Sequence, residues 1–254
     1  MGRPEADKPR IFAINQLGLG LSAVGHDEDA LSVQEARLSL MQRVGVPEVK
    51  LLIELGNLAI TYRRLGRLEE ALSMRQEVYS GRLRLNGEEQ ETTLRAASNY
   101  AVSLADLQRF KEAKSLMRKT MPMARRVLGE GCEATLIIRL NYAKAFYTDP
   151  NATLDDLREA VTTLEELETT ARRVLGGSYP TTVTIEASLQ DARALAALRA
   201  CEAPEVLQTA DDLAAHFGGL LGDSKNSYTY STATVIWHGV SKQVGSDASS
   251  ARNV

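Results

Sequence analysis

Apolar residues recur along most of the chain at intervals of three and four, the spacing that places them on one face of an α-helix. One such series runs from Leu55 to Leu65, and a second runs from Leu68 to Val78 after a turn at Gly66. The strict alternation of apolar and polar residues that is typical of β-strands is almost absent. The pattern therefore predicts an all-α protein of about eleven helices joined by short turns.

The helical pattern repeats with a period near 42 residues. The segment NLAITY, from Asn57 to Tyr62, corresponds to NYAVSL, from Asn99 to Leu104, and to NYAKAF, from Asn141 to Phe146, at intervals of 42 residues. Repetition at a fixed spacing indicates a stack of similar supersecondary units. Each unit contains two predicted helices.

One interval is longer than the others. The sequence ARRVLG occurs at residues 124–129 and again at 171–176, 47 residues later. Five additional residues in the turn between Thr148 and Asp156 account for the difference, and Asp149, Pro150 and Asn151 are typical turn residues. We expect this segment to protrude as a loop.

Small residues occur 12 positions apart in successive units, one in each predicted helix. Ala59 and Ala71 form one such pair, and Ala101 and Ala113 form the next. A close crossing of two helices needs small side chains at the contact. The two helices of a unit are therefore predicted to pack as an antiparallel hairpin.

The segment LGNLAITYRRLGRLEEAL, residues 55–72, resembles the tetratricopeptide repeats of the kinesin light chain type. The matching positions are Leu58, Ala59, Tyr62, Gly66 and Ala71. The third unit has Gln108 in place of the turn glycine. The resemblance covers roughly residues 11–200 and is strongest over 51–176. It implies a right-handed α-solenoid of antiparallel helix pairs, whose inner face binds extended peptides or helices of other proteins.

This family assignment also predicts the domain organisation. Residues 1–10 are expected to be a flexible N-terminus, and residues 245–254 a disordered tail. Between them, residues 11–244 are predicted to form a tetratricopeptide-repeat solenoid of about five repeats followed by a terminal helix.

A candidate peptide-binding face follows from the resemblance and from helical phase. Related arrays use asparagines of the inner helices to bind a peptide backbone, and Asn57, Asn99 and Asn141 occupy one equivalent position. The alternative is that this asparagine makes hydrogen bonds between hairpins, and the sequence leaves both interpretations open. The predicted neighbours on the same face or its margins are Arg63, Arg95, Ser98, Val102, Leu140 and Lys144. Because cations predominate, the ligand is predicted to be acidic; the alternative is an ordinary solvated helix surface.

Composition, charge and motifs limit the classes of function and partner that the sequence predicts. The net charge of −3 and the isoelectric point near 5.8 give no general attraction to nucleic acid or to a membrane surface. The two cysteines, Cys132 and Cys201, favour a reducing compartment, and we expect a cytoplasmic protein. The chain contains no phosphate-binding loop, nucleophile elbow or zinc-binding helix motif. We therefore predict neither an enzyme nor a cofactor or metal requirement.

The leading hypothesis is a protein-interaction scaffold that holds a short, acidic segment of a partner protein in its groove, with no nucleic acid and no membrane as partner. The alternative is a sensor or regulatory fragment of a multidomain signalling ATPase or transcription regulator, in which such repeats often follow a nucleotide-binding domain. A phosphate-binding loop upstream in a longer gene product would favour the alternative.

Overall fold

The computed structural model describes residues 4–201 of the chain, and side chains are described for residues 9–200. These residues fall almost entirely within one compact unit, Met1–Ala200. In this part of the chain there are nine α-helices and no strand. The helices are α1 (Pro4–Ala23), α2 (Asp27–Val44), α3 (Glu48–Arg64), α4 (Leu68–Asn86), α5 (Glu91–Asp106), α6 (Phe110–Leu128), α7 (Glu133–Tyr147), α8 (Leu154–Leu175) and α9 (Pro180–Cys201).

The helices pair in chain order as antiparallel hairpins. Helix α1 packs on α2, α3 on α4, α5 on α6 and α7 on α8, and the second helix of each of the first three hairpins also contacts the next hairpin. The first helices α5 and α7 lie side by side. This arrangement confirms the predicted α-solenoid of helix pairs. The remaining predicted helices and the predicted tail lie outside the described residues.

The small residues predicted at the hairpin crossings are buried. Ala59 and Ala71 are each 1% exposed, and Ala101 and Ala113 are 2% and 0% exposed. Close helix contact leaves no room for larger side chains at these positions. The largest apolar cluster runs from Leu72 of α4 to Ala192 of α9, and two smaller clusters lie among helices α2 to α5.

The turn inside each of the first three hairpins contains a residue with a left-handed backbone. Gly66 has φ of 74° between α3 and α4, and Gln108, 42 residues later, has φ of 60° between α5 and α6. A residue with a Cβ adopts this conformation only at a cost in free energy. The hairpin geometry is therefore kept in the third unit although its glycine is absent.

The enlarged turn between α7 and α8 does not protrude as predicted. The ammonium group of Lys114 on α6 donates hydrogen bonds to Asp149 at 2.8 Å and to Asp156 at 2.9 Å. Ala152, in the middle of the turn, is only 4% exposed. The turn therefore folds back on the preceding hairpin, because two of its carboxylates share one largely buried cation.

The first helix begins at Pro4, inside the stretch 1–10 that was expected to be flexible. Pro122 lies within α6, and Pro47 and Pro180 lie at the starts of α3 and α9. Among the described helices, none is long and apolar enough to cross a lipid bilayer.

Candidate functional site

The three equivalent asparagines occupy one face of consecutive first helices, but they differ in their surroundings. Asn141 on α7 donates a hydrogen bond from Nδ2 to Oγ of Ser98 on α5, at 3.0 Å. Ser98 is 1% exposed, so this bond lies inside the packing between two hairpins. For Asn141 the structure therefore favours the interpretation as a structural link between repeats.

Asn99 lacks the corresponding partner. The residue 42 positions before Ser98 is Gly56, which has no hydroxyl group to accept a hydrogen bond from the amide of Asn99. Within the described residues, the half-buried side chain of Asn99 makes no hydrogen bond. Asn57 is exposed on α3 and interacts with the carboxylate of Glu54, one turn earlier. Of the three amides, that of Asn99 is the one left available to a ligand.

An arginine takes up the space beside Gly56. Arg75 on α4 extends across the hairpin, and its Nη1 atom lies 3.8 Å from the position that a Cβ on residue 56 would occupy. The equivalent residue of the next hairpin is Met117, which is fully buried in the apolar core. A cation thus stands in the second hairpin at a position that the third hairpin fills with an apolar side chain.

Arg75 has no counter-ion in the described part of the chain. It makes neither a hydrogen bond nor an ion pair there, although its side chain is half-buried. Burial lowers the pKa of Arg75, and the positive charge of Arg63 lowers it further. A half-buried, unpaired guanidinium is unfavourable unless a ligand supplies the missing negative charge.

Lys144 on α7 resembles Arg75 in this respect. It is half-buried and makes no ion pair within the described residues. Burial lowers the pKa of its ammonium group, Arg63 lowers it further, and Asp191 on α9 opposes both effects. Since the charge of Arg63 acts on both Arg75 and Lys144, Arg63 is within electrostatic reach of each of them.

Arg63 itself already has a partner. Its guanidinium, at the end of α3, donates two hydrogen bonds to Asp106 at the end of α5, one of them from Nη2 to Oδ1 at 3.0 Å. This pair leaves the cluster of Arg63, Arg75 and Lys144 with more positive than negative charge. We call these three residues and Asn99 the cationic cluster.

Of the other residues predicted for the peptide-binding face, some lie at the surface and some in the interior. Arg95 is exposed and lies 3.6 Å from Glu91 on its own helix, and Val102 is half-buried beside Asn99. Leu140 is 5% exposed and belongs to the apolar core. Leu140 and Ser98 are therefore packed beneath this face and have too little exposed surface to contact a peptide.

Sequence reasoning missed Arg75 and Gly56 because it assigned ligand contacts to the first helices alone. The signal was present in the repeat: a charged residue occupies a position that is methionine or leucine in the next two hairpins, Met117 and Leu164. A comparison of equivalent positions, rather than a search along one helix face, would have found it.

The comparisons with known proteins agree with this architecture. Residues 49–125 match the family model of the tetratricopeptide repeat. A search of the curated proteins finds no sequence match. The family match falls on α3 to α6, the two hairpins that contain Arg63, Arg75 and Asn99.

Several solved structures share the fold at low identity. The crystal structure of BtubC (BKLC) from P. vanneervenii has a TM-score of 0.61 at 18% identity, covering 88% of each chain. The putative kinesin light chain from Podosopora anserina, with nearly identical tetratricopeptide-like repeats, has a TM-score of 0.61 at 19% identity. That match covers 85% of this chain and 99% of the other. The apo form of RapI has a TM-score of 0.59 at 13% identity, covering 94% of this chain and 86% of the other.

The repeat length, the order of the hairpins and the family model thus lead to one assignment. Similarity at these identities concerns the fold, and the fold is the one found in solved kinesin light chain-like arrays. Residues 49–125 match the tetratricopeptide-repeat family, and the described part of the chain has the fold of solved kinesin light chain-like arrays.

Proposed function

We infer that the chain is a protein–protein interaction scaffold, the function that tetratricopeptide repeats indicate. We propose that the scaffold binds a short acidic segment of a partner protein on the face formed by its first helices, with the cationic cluster as the centre of the site. The observation that carries the proposal is the pair of half-buried cations, Arg75 and Lys144, neither of which has a counter-ion within the described residues.

The chemistry of the cluster suits a carboxylate next to a peptide bond. A guanidinium can bind a carboxylate through two parallel hydrogen bonds, and an ammonium adds a third cationic donor. The amide of Asn99 offers a donor and an acceptor together, which matches the C=O and N–H groups of an extended backbone. Binding of an anion would also offset the unfavourable burial of Arg75 and Lys144.

Apolar surface flanks the cluster on α3. Ile60 is 49% exposed on the same helix as Asn57, three residues after it. Exposed side chains of this size, next to convergent polar groups, are typical of binding surfaces. We therefore expect the acidic segment to carry at least one apolar side chain that packs on α3.

A peptide array tests the proposal. Short acidic, neutral and basic sequences would be probed with the whole chain at low and high salt. We expect acidic peptides to bind and their binding to weaken as salt screens the attraction between charges. Binding that does not depend on peptide charge, or that is restricted to basic sequences, would contradict the proposal.

A further inference from the structure

A cleft lies between the first two hairpins. Its lining residues fall within residues 11–53, before those of the cationic cluster in the sequence. Its volume is about 570 Å³, within the range of sites that hold small molecules. Helix α1, the second half of α2, the turn after it and the start of α3 form its walls. The apolar residues of the walls are Ile11, Phe12, Met41, Val44, Val46 and Ile53.

The charged residues that line the cleft are both cations, Arg37 and Lys50. Arg37 pairs with the buried carboxylate of Glu54 through one Nη1 atom, and its Nε–H group is buried without a hydrogen-bond partner in the described part of the chain. Lys50 is exposed and has no ion pair there. The cleft therefore has an apolar interior, and of its two lining cations Lys50 is the one without a counter-ion among the described residues.

We propose that this cleft binds a small amphiphilic monocarboxylate, with its aliphatic or aromatic body against the apolar walls and its carboxylate between Lys50 and Arg37. Charge complementarity decides the class of ligand. A cation would be repelled by the unpaired charge of Lys50, and a neutral molecule would leave that charge without a counter-ion. The residues that line the cleft do not belong to the cationic cluster, so each of the two proposals can fail without the other.

Decanoate is a suitable probe, with decanol and decylammonium as ligands of the same length and different charge. Titration calorimetry with the whole chain, below the micelle concentration, should give one site for decanoate. A ligand of this size is expected to bind with a Kd on the order of 0.05 to 1 mM. Decanol should bind more weakly, and decylammonium more weakly still.

Three variants locate the site. Lys50→Gln should weaken decanoate binding roughly two- to fivefold and leave decanol unaffected, as expected for one partly exposed ion pair. Arg43→Gln removes a cation of α2 that does not line the cleft and is the matched control. Val44→Phe, which places a larger side chain in the cleft, should weaken both ligands about tenfold or more.

Several results would overturn the proposal. Equal binding of decanoate and decylammonium would show that charge plays no part. Decanoate binding that survives Val44→Phe would place the ligand elsewhere. A dimer that decanoate does not dissociate would assign the cleft to a second copy of the chain, and absence of binding would leave the cleft to an apolar side chain of a partner or to solvent.

Discussion

The guanidinium of Arg75 lies beside Gly56: its Nη1 atom is 3.8 Å from the position that a Cβ on residue 56 would occupy. In the next repeat the equivalent residues are Met117 and Ser98, and Ser98 accepts a hydrogen bond from Asn141. Where the next repeat has a buried methionine and a serine that accepts a hydrogen bond, this repeat has an arginine without a counter-ion and an asparagine without a partner in the described part of the chain. Both groups become available to a ligand.

The first prediction concerns Gly56. In Gly56→Ser the new hydroxyl can accept a hydrogen bond from Asn99, as Ser98 does from Asn141. A Cβ there meets Arg75 at ordinary van der Waals distance, so no clash is expected. Unfolding in urea should show a gain of about 0.5 to 1.5 kcal/mol, from helix propensity and the new bond. Affinity for the acidic peptide should fall several-fold.

Gly20→Ser is the matched control for this change. Gly20 lies in the first helix of the first hairpin, and a Cβ there meets nothing within 4 Å. This variant should gain stability from helix propensity alone and keep its affinity. If Gly56→Ser also keeps wild-type affinity, Asn99 is not part of the binding site.

The second prediction separates the equivalent asparagines. Asn141→Ala removes a buried hydrogen bond to Ser98 and should destabilise the fold by about 1 to 3 kcal/mol, since the hydroxyl loses its partner. Asn99→Ala breaks no bond within the described residues and should leave the melting temperature nearly unchanged. In calorimetry with the acidic peptide, Asn99→Ala should bind roughly two- to tenfold more weakly. If instead Asn99→Ala loses stability and keeps full affinity for the peptide, Asn99 is the structural asparagine and Asn141 the one that binds.

The third prediction concerns the ion cluster that holds the turn after α7. Lys114→Met leaves Asp149 and Asp156 without their shared cation and should destabilise the fold by about 1 to 3 kcal/mol at pH 7. Burial tends to raise the pKa of Asp156, but the hydrogen bond and charge of Lys114, the backbone N–H of Thr153 and the charge of Arg118 together hold it below the ordinary 3.8.

The pH dependence of this difference follows from the sign of the two shifts. A carboxylate with a lowered pKa contributes stability above its ordinary pKa, and this stability is lost as the pH falls through the folded-state pKa. The pKa of Lys114 is raised above 10.5, because its bonds to the two carboxylates outweigh burial, so its contribution is lost only above that pH. The difference between wild type and Lys114→Met in urea unfolding should be constant near neutrality and shrink below about pH 3.8. A constant difference at every pH would exclude the ion cluster as its cause.

The fourth prediction concerns the turn of the third hairpin. Gln108→Gly removes the unfavourable left-handed backbone of a residue with a Cβ, at φ of 60°. After allowance for the greater freedom of glycine in the unfolded chain, unfolding should require about 0.5 to 1 kcal/mol more. A loss of stability would mean that the glutamine side chain makes a compensating contact.

The repeat made the fold predictable from sequence. The spacing of Ala59 and Ala71, and of Ala101 and Ala113, identified the hairpin crossings because only small residues fit there. Alignment with Gly66 located the turn at Gln108, and the structure shows that its backbone is left-handed. Local pattern was sufficient, because each hairpin packs mainly on its neighbours in the sequence.

The contacts of individual side chains were less predictable. The long-range bonds from Lys114 to Asp149 and Asp156 cross between hairpins, and nothing in the local pattern of the turn indicated them. Helical phase placed Ser98 and Leu140 on the binding face, but the neighbouring first helix covers both. A helix wheel shows which way a side chain points and does not show how closely the next helix approaches.

The central claim is that Arg75 and Lys144 are kept for binding at the expense of stability, and one comparison tests it most directly. Wild type, Arg75→Met and Lys144→Met would each be titrated with the tightest acidic peptide from the array and unfolded in urea. Arg84→Met, on the same helix as Arg75 and paired at the surface with Glu48, is the control and should change neither property appreciably.

We expect both variants to lose affinity, Arg75→Met by about tenfold or more, because hydrogen bonds to charged groups are the strong ones. Their unfolding free energy should hold or rise, since a half-buried charge without a counter-ion is replaced by an apolar side chain of the kind found at Met117. Unchanged affinity in a stable Arg75→Met variant would contradict the account. So would a variant that loses both affinity and stability, since Arg75 would then serve the fold.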